Sequence, residues 1–293
     1  MNRRYVVADV FTTRAFCGNP VAVVLDAEGM TTGQMQQVAA ELGYSETTFV
    51  LPPESPSHTA RVRIFTPTRE IPFAGHPNIG TAFVLAQDGA LPTHLLFEEI
   101  AGLVPVTLIE EDGATVGAEL IAPEALFRGS VVSRESVAAC LSLEAGDICI
   151  DKHRPLVASA GLPFLVVELS SRDALRRCVP SLQGFRATLP LDGAVSIYAY
   201  TPDDAVTDRP AIQARMFTPR MTEDPATGSA AAALTALLAE LRAIPTLLLT
   251  INQGIDMGRP SLINAEYDAR GEQPVVRIGG RCVLVMSGEL RLA

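Results

Sequence analysis

The chain has 293 residues, of which 48% are hydrophobic and 19% are charged, a composition typical of a globular protein with a large core. Its formal net charge of −10 at pH 7 argues against binding to nucleic acid or to an anionic membrane surface, because both need basic patches. No run of 18 apolar residues occurs, and the apolar run near the N-terminus is too short for a signal peptide. We therefore expect a cytoplasmic protein with no membrane span.

Several kinds of cofactor chemistry are disfavoured by the residue content. The five cysteines are odd in number and form no CxxC pair, and the four histidines are scattered. This pattern is typical of a reduced protein and gives no sign of a structural zinc site. Lys152 is the only lysine, so a Schiff-base mechanism would depend on that residue alone.

The first third of the chain is predicted to form strands around one surface helix. Apolar residues at Met35, Val38, Ala39 and Leu42 follow the spacing of one helix face, with threonines before them and Gly43 after them as caps. Runs rich in β-branched and aromatic residues predict four strands. These strands are Tyr5–Phe11, Val21–Leu25, Thr47–Leu51 and Ala60–Thr66.

Two further segments, Ile79–Gln87 and Ala230–Ala239, are apolar on nearly every side of a helix. A helix that is apolar all round is buried all round. We therefore expect two buried helices, far apart in the chain, among many strands.

The approaches to these two helices repeat each other. Residues 63–67 (Arg-Ile-Phe-Thr-Pro) recur as residues 215–219 (Arg-Met-Phe-Thr-Pro), and one residue is then added before Gly75 aligns with Gly228. This internal repeat predicts two similar lobes related by a pseudo-twofold axis, with the ligand site at their interface. The boundary between the lobes is expected near residues 115–130, where Glu111-Asp112-Gly113 and Pro123 break the pattern.

Each buried helix begins with a glycine, Gly75 before His76 and Gly228 before Ser229. A helix N-terminus offers unpaired N–H groups and a partial positive charge, which suit a carboxylate or phosphate. Taken singly, each glycine could merely permit a tight turn or close packing. Their equivalent positions favour a functional pair that holds an anionic substrate.

Four side chains are candidates for chemistry, each with a structural alternative. His76 is suited to acid–base work because histidine titrates near neutrality, although a lone histidine is often a structural hydrogen-bonding group. Asp224 could be a catalyst or a cap of the second helix. Glu46 opens a strand, where a charged residue is usually solvated, so its position alone does not favour catalysis. Cys17, which has no paired base, is interpreted as a packed residue.

Motifs along most of the chain resemble the phenazine-biosynthesis isomerase family (PhzF-like). The resemblance runs in order from about residue 5 to residue 290. It is carried by segments 9–11 (DVF), 18–23 (GNPVAV), 45–50 (SETTFV), 63–67 (RIFTP), 72–77 (PFAGHP), 224–230 (DPATGSA), 253–254 (QG) and 258–261 (GRPS).

The resemblance implies an α+β fold of the diaminopimelate epimerase-like type, with two pseudo-symmetric lobes. Each lobe is a mainly antiparallel or mixed sheet wrapped around a central buried helix, which agrees with the repeat. We assign residues 1–122 to the N-terminal lobe, completed by a C-terminal strand at 281–293, and residues 123–280 to the C-terminal lobe. The resemblance also implies an active site in the cleft between the lobes and a homodimer.

The resemblance further assigns roles to residues. Glu46 would take a proton from one ring carbon and deliver it to another, and burial in a closed cleft would bring its pKa nearer neutrality. His76 and Asp224 would orient the substrate and assist proton movement. Ser229 and the N–H groups at Gly75 and Gly228 would bind the substrate carboxylate. No metal, flavin or nicotinamide is required.

The sequence therefore predicts a cofactor-independent isomerase that moves a proton on a small, unsaturated cyclic carboxylate. The leading substrate is trans-2,3-dihydro-3-hydroxyanthranilate. A two-thiol racemase is disfavoured, since no cysteine lies near either helix start in the sequence. Two alternatives remain: an isomerase or epimerase of the same fold that acts on another small acid, and a non-catalytic protein that binds small acids.

Overall fold

The structure is a computed structural model that describes residues 2–203 and 210–292. The chain divides into two units, each with its own strands and helices. Unit 1 comprises Met1–Ile121 together with Gly279–Ala293, and unit 2 comprises Ala122–Ile278.

Unit 1 begins with a run of strands interrupted by two helices. In chain order, its elements before residue 122 are β1 (Asn2–Val10), β2 (Asn19–Val24), α1 (Thr32–Leu42), β3 (Glu46–Leu51), β4 (Ala60–Phe65), β5 (Glu70–Ile71), α2 (Gly75–Asp88), β6 (His94–Glu99), β7 (Gly102–Glu111) and β8 (Ala114–Ile121). The four predicted strands correspond to β1 to β4. The capped surface helix is confirmed: Thr31 forms a capping box with Gln34, and Gly43 ends α1 at φ 69°.

Unit 2 follows with the same mixture of elements and leads into a long last strand. Its helices and strands, and that last strand, are β9 (Phe127–Val131), α3 (Arg134–Leu141), a 3₁₀ turn (Ala145–Asp147), β10 (Leu156–Ser159), β11 (Pro163–Glu168), α4 (Arg172–Arg177), α5 (Leu182–Thr188), β12 (Ile197–Pro202), β13 (Ala211–Phe217), β14 (Glu223–Asp224), α6 (Gly228–Leu241), β15 (Thr246–Gln253), β16 (Ser261–Asp268) and β17 (Val275–Arg291).

The strands of unit 1 form a closed ring. β1 pairs antiparallel with β2, β2 parallel with β3, β3 antiparallel with β4, and β4 parallel with β6. The hairpins β6–β7 and β7–β8 continue the ring. β17 closes it, because it pairs with both β8 and β1. A closed barrel leaves no unpaired sheet edge in this part of the unit.

The helix α2 lies inside this barrel. All residues from His76 to Val84 are buried, and the helix contacts β1, β2, β3, β7 and β8. Gly80 permits this approach, since a Cβ there would clash with Val21 and lie 2.9 Å from Cγ2 of Val10. The predicted buried helix is present but begins four residues before Ile79, because Pro77 is tolerated within the first turn.

Unit 2 repeats the order of pairings seen in unit 1. β10 pairs antiparallel with β11, β11 parallel with β12, β12 antiparallel with β13, and β13 parallel with β15, which forms a hairpin with β16. α6 contacts β10, β11, β15 and β16, and its residues from Ala230 to Ala239 are all buried. α2 and α6 each have 14 residues.

The repeated sequence forms the same local structure in each unit. Arg63 donates to both carboxylate oxygens of Glu70 at 2.7 Å, and Arg215 donates to those of Glu223 at 3.1 and 2.7 Å. Each guanidinium also lies over the phenylalanine two residues later, 5.2 Å from the ring centre in unit 1 and 4.8 Å in unit 2. These partly buried ion pairs fix the short strands β5 and β14 just before each buried helix.

Candidate active site

Two of the predicted site residues meet in unit 1. Glu46 is the first residue of β3 and His76 is the second residue of α2. The Oε2 atom of Glu46 lies 3.6 Å from Nε2 of His76, and the two side chains are 19% and 8% exposed. This separation exceeds a normal hydrogen bond, so the groups are close but distinct.

The Glu46 carboxyl has a raised pKa. Desolvation by burial is the larger cause, and a hydrogen bond from Ser45 opposes it. A carboxylate with a raised pKa is a stronger base than an exposed one and can also return the proton that it accepts. The proton transfer that the family resemblance implies needs a carboxyl group that can both accept and return a proton.

The orientation of His76 is set by Asn19, the first residue of β2. The Asn19 Nδ2 group lies 3.5 Å from His76 Nδ1 and, because it is an amide nitrogen, it can only donate to that atom. With Nδ1 as acceptor, the neutral imidazole carries its proton on Nε2, the nitrogen that faces Glu46. Asn19 is fully buried, so this arrangement is fixed by the core.

The N-terminus of α2 has no side-chain cap. The N-cap residue is Ala74, which makes no side-chain cap hydrogen bond. A Cβ at Gly75 would meet nothing within 4 Å, and its φ does not lie in the left-handed region. Neither turn geometry nor packing therefore requires glycine here, and the space beside these N–H groups is open.

α6 begins in the same way in unit 2. Its N-cap residue, Thr227, makes no side-chain cap hydrogen bond. Gly228 is its first residue and is buried, whereas Ser229, the second, is partly exposed on a helix that is otherwise buried as far as Ala239. The Ser229 hydroxyl and the first N–H groups of α6 can therefore receive an anion.

Asp224 is not the cap of α6. It ends β14, and its Oδ2 atom accepts a hydrogen bond from Thr227 Oγ1 at 2.5 Å. The side-chain amide of Gln253 holds this loop through both of its polar atoms. Its Nε2 atom donates to the Asp224 carbonyl at 2.9 Å and to Thr227 Oγ1 at 3.0 Å. Its Oε1 atom accepts from the Tyr198 hydroxyl and from the backbone N–H of Thr227. Gln253 and Tyr198 are fully buried, so the loop before α6 is held by the core.

Gly254 allows that loop to approach the end of β15. Its φ is +73°, in the left-handed region, and a Cβ there would clash with Arg259 O and lie 2.7 Å from Pro225 O. The backbone next to Asp224 thus packs directly on residue 254. A side chain at this position would displace the loop that carries Asp224.

Three residues at these helix starts were given no role by the sequence analysis: Asn19, Thr227 and Gln253. For Asn19 and Gln253 the available signal was an amide side chain at one end of a mainly apolar strand, which needs hydrogen-bond partners if it is buried. Among residues 2–203 and 210–292, no cluster of His, Cys, Asp and Glu could hold a metal ion. In the same ranges, no helix is long and apolar enough to cross a membrane.

Comparison with known proteins identifies the family. The family model for phenazine biosynthesis-like proteins matches residues 8–288. The chain belongs to this family. An uncharacterized isomerase of Mesorhizobium japonicum is 38% identical to this member over 98% of both chains. The trans-2,3-dihydro-3-hydroxyanthranilate isomerase of Pseudomonas aeruginosa is 35% identical over 99% of both chains.

A solved structure supports the same assignment. The Bacillus anthracis phenazine biosynthesis protein of the PhzF family superposes with a TM-score of 0.88, at 26% identity and over 100% of both chains. The predicted membership of the PhzF-like family is therefore confirmed, together with the mixed-sheet fold. Because several relatives are isomerases, this phenazine biosynthesis-like protein is an isomerase.

Proposed function

We propose that this protein is a cofactor-independent isomerase that moves a proton on a small, unsaturated cyclic carboxylate. The leading substrate is trans-2,3-dihydro-3-hydroxyanthranilate, the compound in the name of the Pseudomonas aeruginosa relative. The observation that carries the proposal is the Glu46–His76 pair beside the uncapped start of α2. It supplies a base, a hydrogen-bond donor and an anion site within one unit.

Glu46 is the base in this proposal. The ionised carboxylate removes a proton from one ring carbon, and the resulting carboxylic acid returns it to another carbon, so the reaction changes no atom count and no oxidation state. His76 presents Nε2–H toward the same space and can donate a hydrogen bond where negative charge develops. Charge on the intermediate is spread over the conjugated ring.

The remaining predicted residues are assigned to binding. The N–H groups at Gly75 and Gly228 and the hydroxyl of Ser229 are proposed to hold the substrate carboxylate, in agreement with the two uncapped helix starts. Asp224 is proposed to orient the substrate. The proposal that Asp224 and Ser229 act in the same reaction as Glu46 follows what the family resemblance implies.

We also propose that the two units arose by duplication and are pseudo-symmetric lobes. The repeated Arg–Glu pairs, the equal length of α2 and α6 and the common order of strand pairings support this. Under this proposal, the two helix starts are equivalent positions with different side chains, His76 in one and Ser229 in the other.

Proton transfer by Glu46 is tested by incubation of the substrate with the protein in deuterium oxide, followed by NMR. We expect the wild type to convert the substrate with deuterium incorporation. Glu46→Gln, which keeps the shape but cannot accept a proton, should lose at least about 10²-fold in rate. Glu41→Gln, an exposed change on α1, is the matched control and should keep wild-type activity.

The two alternatives give different results in the same assay. Conversion of another unsaturated or α-chiral acid, without conversion of the leading substrate, would replace the substrate and keep the proton chemistry. Binding of small acids by the folded wild type without proton exchange on any of them would identify a binding protein. Full activity of the Glu46→Gln variant would overturn the assignment of the base.

A further inference from the structure

The loop between β1 and β2, residues 11–18, is longer than the connection of these strands requires. β1 ends at Val10 and β2 begins at Asn19, so eight residues join this antiparallel pair. The pair that holds the same place in the order of unit 2, β10 and β11, is joined by residues 160–162 alone. Because three residues suffice there, the longer loop of unit 1 needs another explanation.

This loop lies at the end of the barrel that carries the candidate active site. Val10 and Asn19 flank the loop and pair with each other, and β3, which pairs with the start of β2, begins at Glu46. Asn19 also contacts His76 at the start of α2. Phe16 precedes Asn19 by three residues, so the Cα atoms of these two residues lie within about 11 Å of each other.

Hydrogen bonds anchor the loop to the barrel. Thr12 N donates to Arg281 O at 2.9 Å, which ties the loop to β17. Arg14 N donates to Thr12 Oγ1 at 3.1 Å, and Cys17 N donates to Arg14 O at 3.3 Å. Thr12 and Cys17 are buried, so the exposed tip, residues 13–16, is held on both sides.

Phe16 has a backbone conformation that is unfavourable for a bulky side chain. Its φ is 67°, in the left-handed region, which such residues rarely adopt. Asp9 on β1 maintains this conformation, because its buried Oδ2 atom accepts the Phe16 N–H at 2.6 Å. Strained residues cluster at functional sites, so a phenylalanine at a position suited to glycine indicates a role for its side chain.

The side chain of Phe16 is exposed at the tip of this loop. It is 69% exposed, more than any other large hydrophobic residue that the structure describes. An aromatic ring stacks on another flat, unsaturated ring, whereas an acyclic acid offers no such face. The exposed ring therefore suits the substrate class proposed above, an unsaturated ring that bears a carboxylate.

We propose that Phe16 is a specificity-determining residue of the isomerase: its ring stacks on the unsaturated ring of the substrate while the first N–H groups of α2 hold the carboxylate. The anchored loop places the ring, and Asp9 fixes the backbone at Phe16. This role deepens the proposed function and rests on it. It predicts that acids with a flat ring bind better than acyclic acids of the same charge.

The ring contact is tested by binding, without turnover. The chain contains no tryptophan, so the Phe16→Trp variant carries a single tryptophan reporter at this position. We expect benzoate, a flat ring with a carboxylate, to change its fluorescence in a saturable way, and acetate to leave it unchanged. Leu248→Trp, at a position on β15 that is 63% exposed, is the matched control and should respond to neither acid.

Two results of this titration would contradict the contact. Fluorescence of the Phe16→Trp variant that benzoate leaves unchanged would overturn the proposal, and so would equal responses to benzoate and acetate. The NMR signals of the His76 imidazole, recorded in the same titrations, report occupation of the site independently. Benzoate that shifts these signals with no response at residue 16 would place the ring elsewhere in the site.

The contribution to turnover is tested by steady-state kinetics together with thermal unfolding. We expect Phe16→Gly to raise KM about tenfold with a smaller change in kcat, because the stacking contact is lost. Its melting temperature should not fall, since glycine adopts the left-handed conformation without strain. Phe16→Tyr, which keeps the ring, should stay within about twofold of the wild-type KM. A lower melting temperature with an unchanged KM would identify a structural residue and overturn the proposal.

The two proposals fail in different ways. An active wild type whose Phe16→Gly variant keeps its KM, and whose Phe16→Trp variant ignores benzoate, would overturn the ring contact alone. A Phe16→Trp variant that responds to benzoate, in a protein whose wild type converts no substrate, would overturn the proposed function alone.

Discussion

At the scale of single residues, three glutamates of unit 1 differ in their burial and in the hydrogen-bond donors around them. Glu46 is partly buried beside His76 with a raised pKa, Glu98 is saturated with donors, and Glu99 is buried without one. Residue type alone therefore says little about chemistry here. The number of donors around each carboxyl decides whether it can serve as a base, an ionic anchor or a neutral acid.

The raised pKa of Glu46 predicts an acid limb in the pH profile. The base must be ionised, so kcat/KM should fall as pH drops through the pKa of Glu46, and the midpoint should lie above 4.5, the ordinary value for glutamate. Initial rates of the wild type from pH 4 to pH 8, with a check that the protein stays folded, measure this limb. A midpoint at or below 4.5 would contradict the role of burial.

At the scale of elements, the proposed chemistry depends on how α2 and α6 begin. Neither helix has a side chain that caps its first N–H groups, which are usually satisfied by such a cap or by water. In contrast, Thr31 caps the surface helix α1. The missing caps thus occur at the two helices to which the sequence assigns substrate binding.

The open space at Gly75 predicts that a single methyl group affects binding and not folding. Gly75→Ala should raise KM about tenfold, equivalent to about 1.4 kcal/mol, because the Cβ would occupy space at the proposed anion site. Its melting temperature should be unchanged or higher, since the Cβ meets nothing within 4 Å. Gly89→Ala, at the other end of α2 and equally unobstructed, is the control. Equal KM values for the two variants would argue against an anion site at Gly75.

At the scale of the whole molecule, the strand β17 decides whether unit 1 is a barrel. Its partner β1 is paired from Asn2 with Arg291 to Val10 with Cys282, and β8 lies on its other side. Where β8 meets β17 the backbones are very close: a Cβ at Gly117 would clash with Gly280 O and lie 2.8 Å from the Cα of Arg281.

Homodimer formation stays a prediction, to be checked by light scattering.

Gly117→Ala should therefore weaken the closure of the barrel. The added methyl meets backbone, which cannot rotate away, so we expect a loss of about 2–3 kcal/mol in the free energy of unfolding, as for an overpacked core. Urea denaturation followed by circular dichroism measures this loss, with Gly89→Ala as the unobstructed control. A loss below about 0.5 kcal/mol would show that β8 and β17 can separate locally at little cost.

Local elements could be predicted from the sequence, because their signals lie within a few residues. The caps of α1 and the all-round apolarity of α2 and α6 are examples. The closure of a barrel could not be derived from periodicity, since the pairing of β1 with β17 joins residues about 280 positions apart. The resemblance alone suggested that a C-terminal strand completes the first lobe.

The residues of the candidate site were predicted from two different signals. His76 and the two glycines were proposed from the repeat, but Glu46 was proposed only from the resemblance, because a charged residue at a strand entrance normally faces water. The burial of the Glu99 carboxyl was not predicted for the same reason: Glu99 follows Glu98 at the end of a strand, and such a pair is normally solvated. Burial of one of two adjacent carboxyls depends on the packing of the barrel, which no local pattern reports.

The position of β17 has a consequence for biosynthesis. As the chain leaves the ribosome, β1 and β8 emerge early, but the strand that must lie between them is translated only after all of unit 2. During that interval the nascent unit 1 exposes two unpaired strand edges, a hazard for aggregation. Unit 2 has no such dependence on a distant segment, so we expect it to acquire protease resistance first, while α2 stays accessible until residues 279–291 are made.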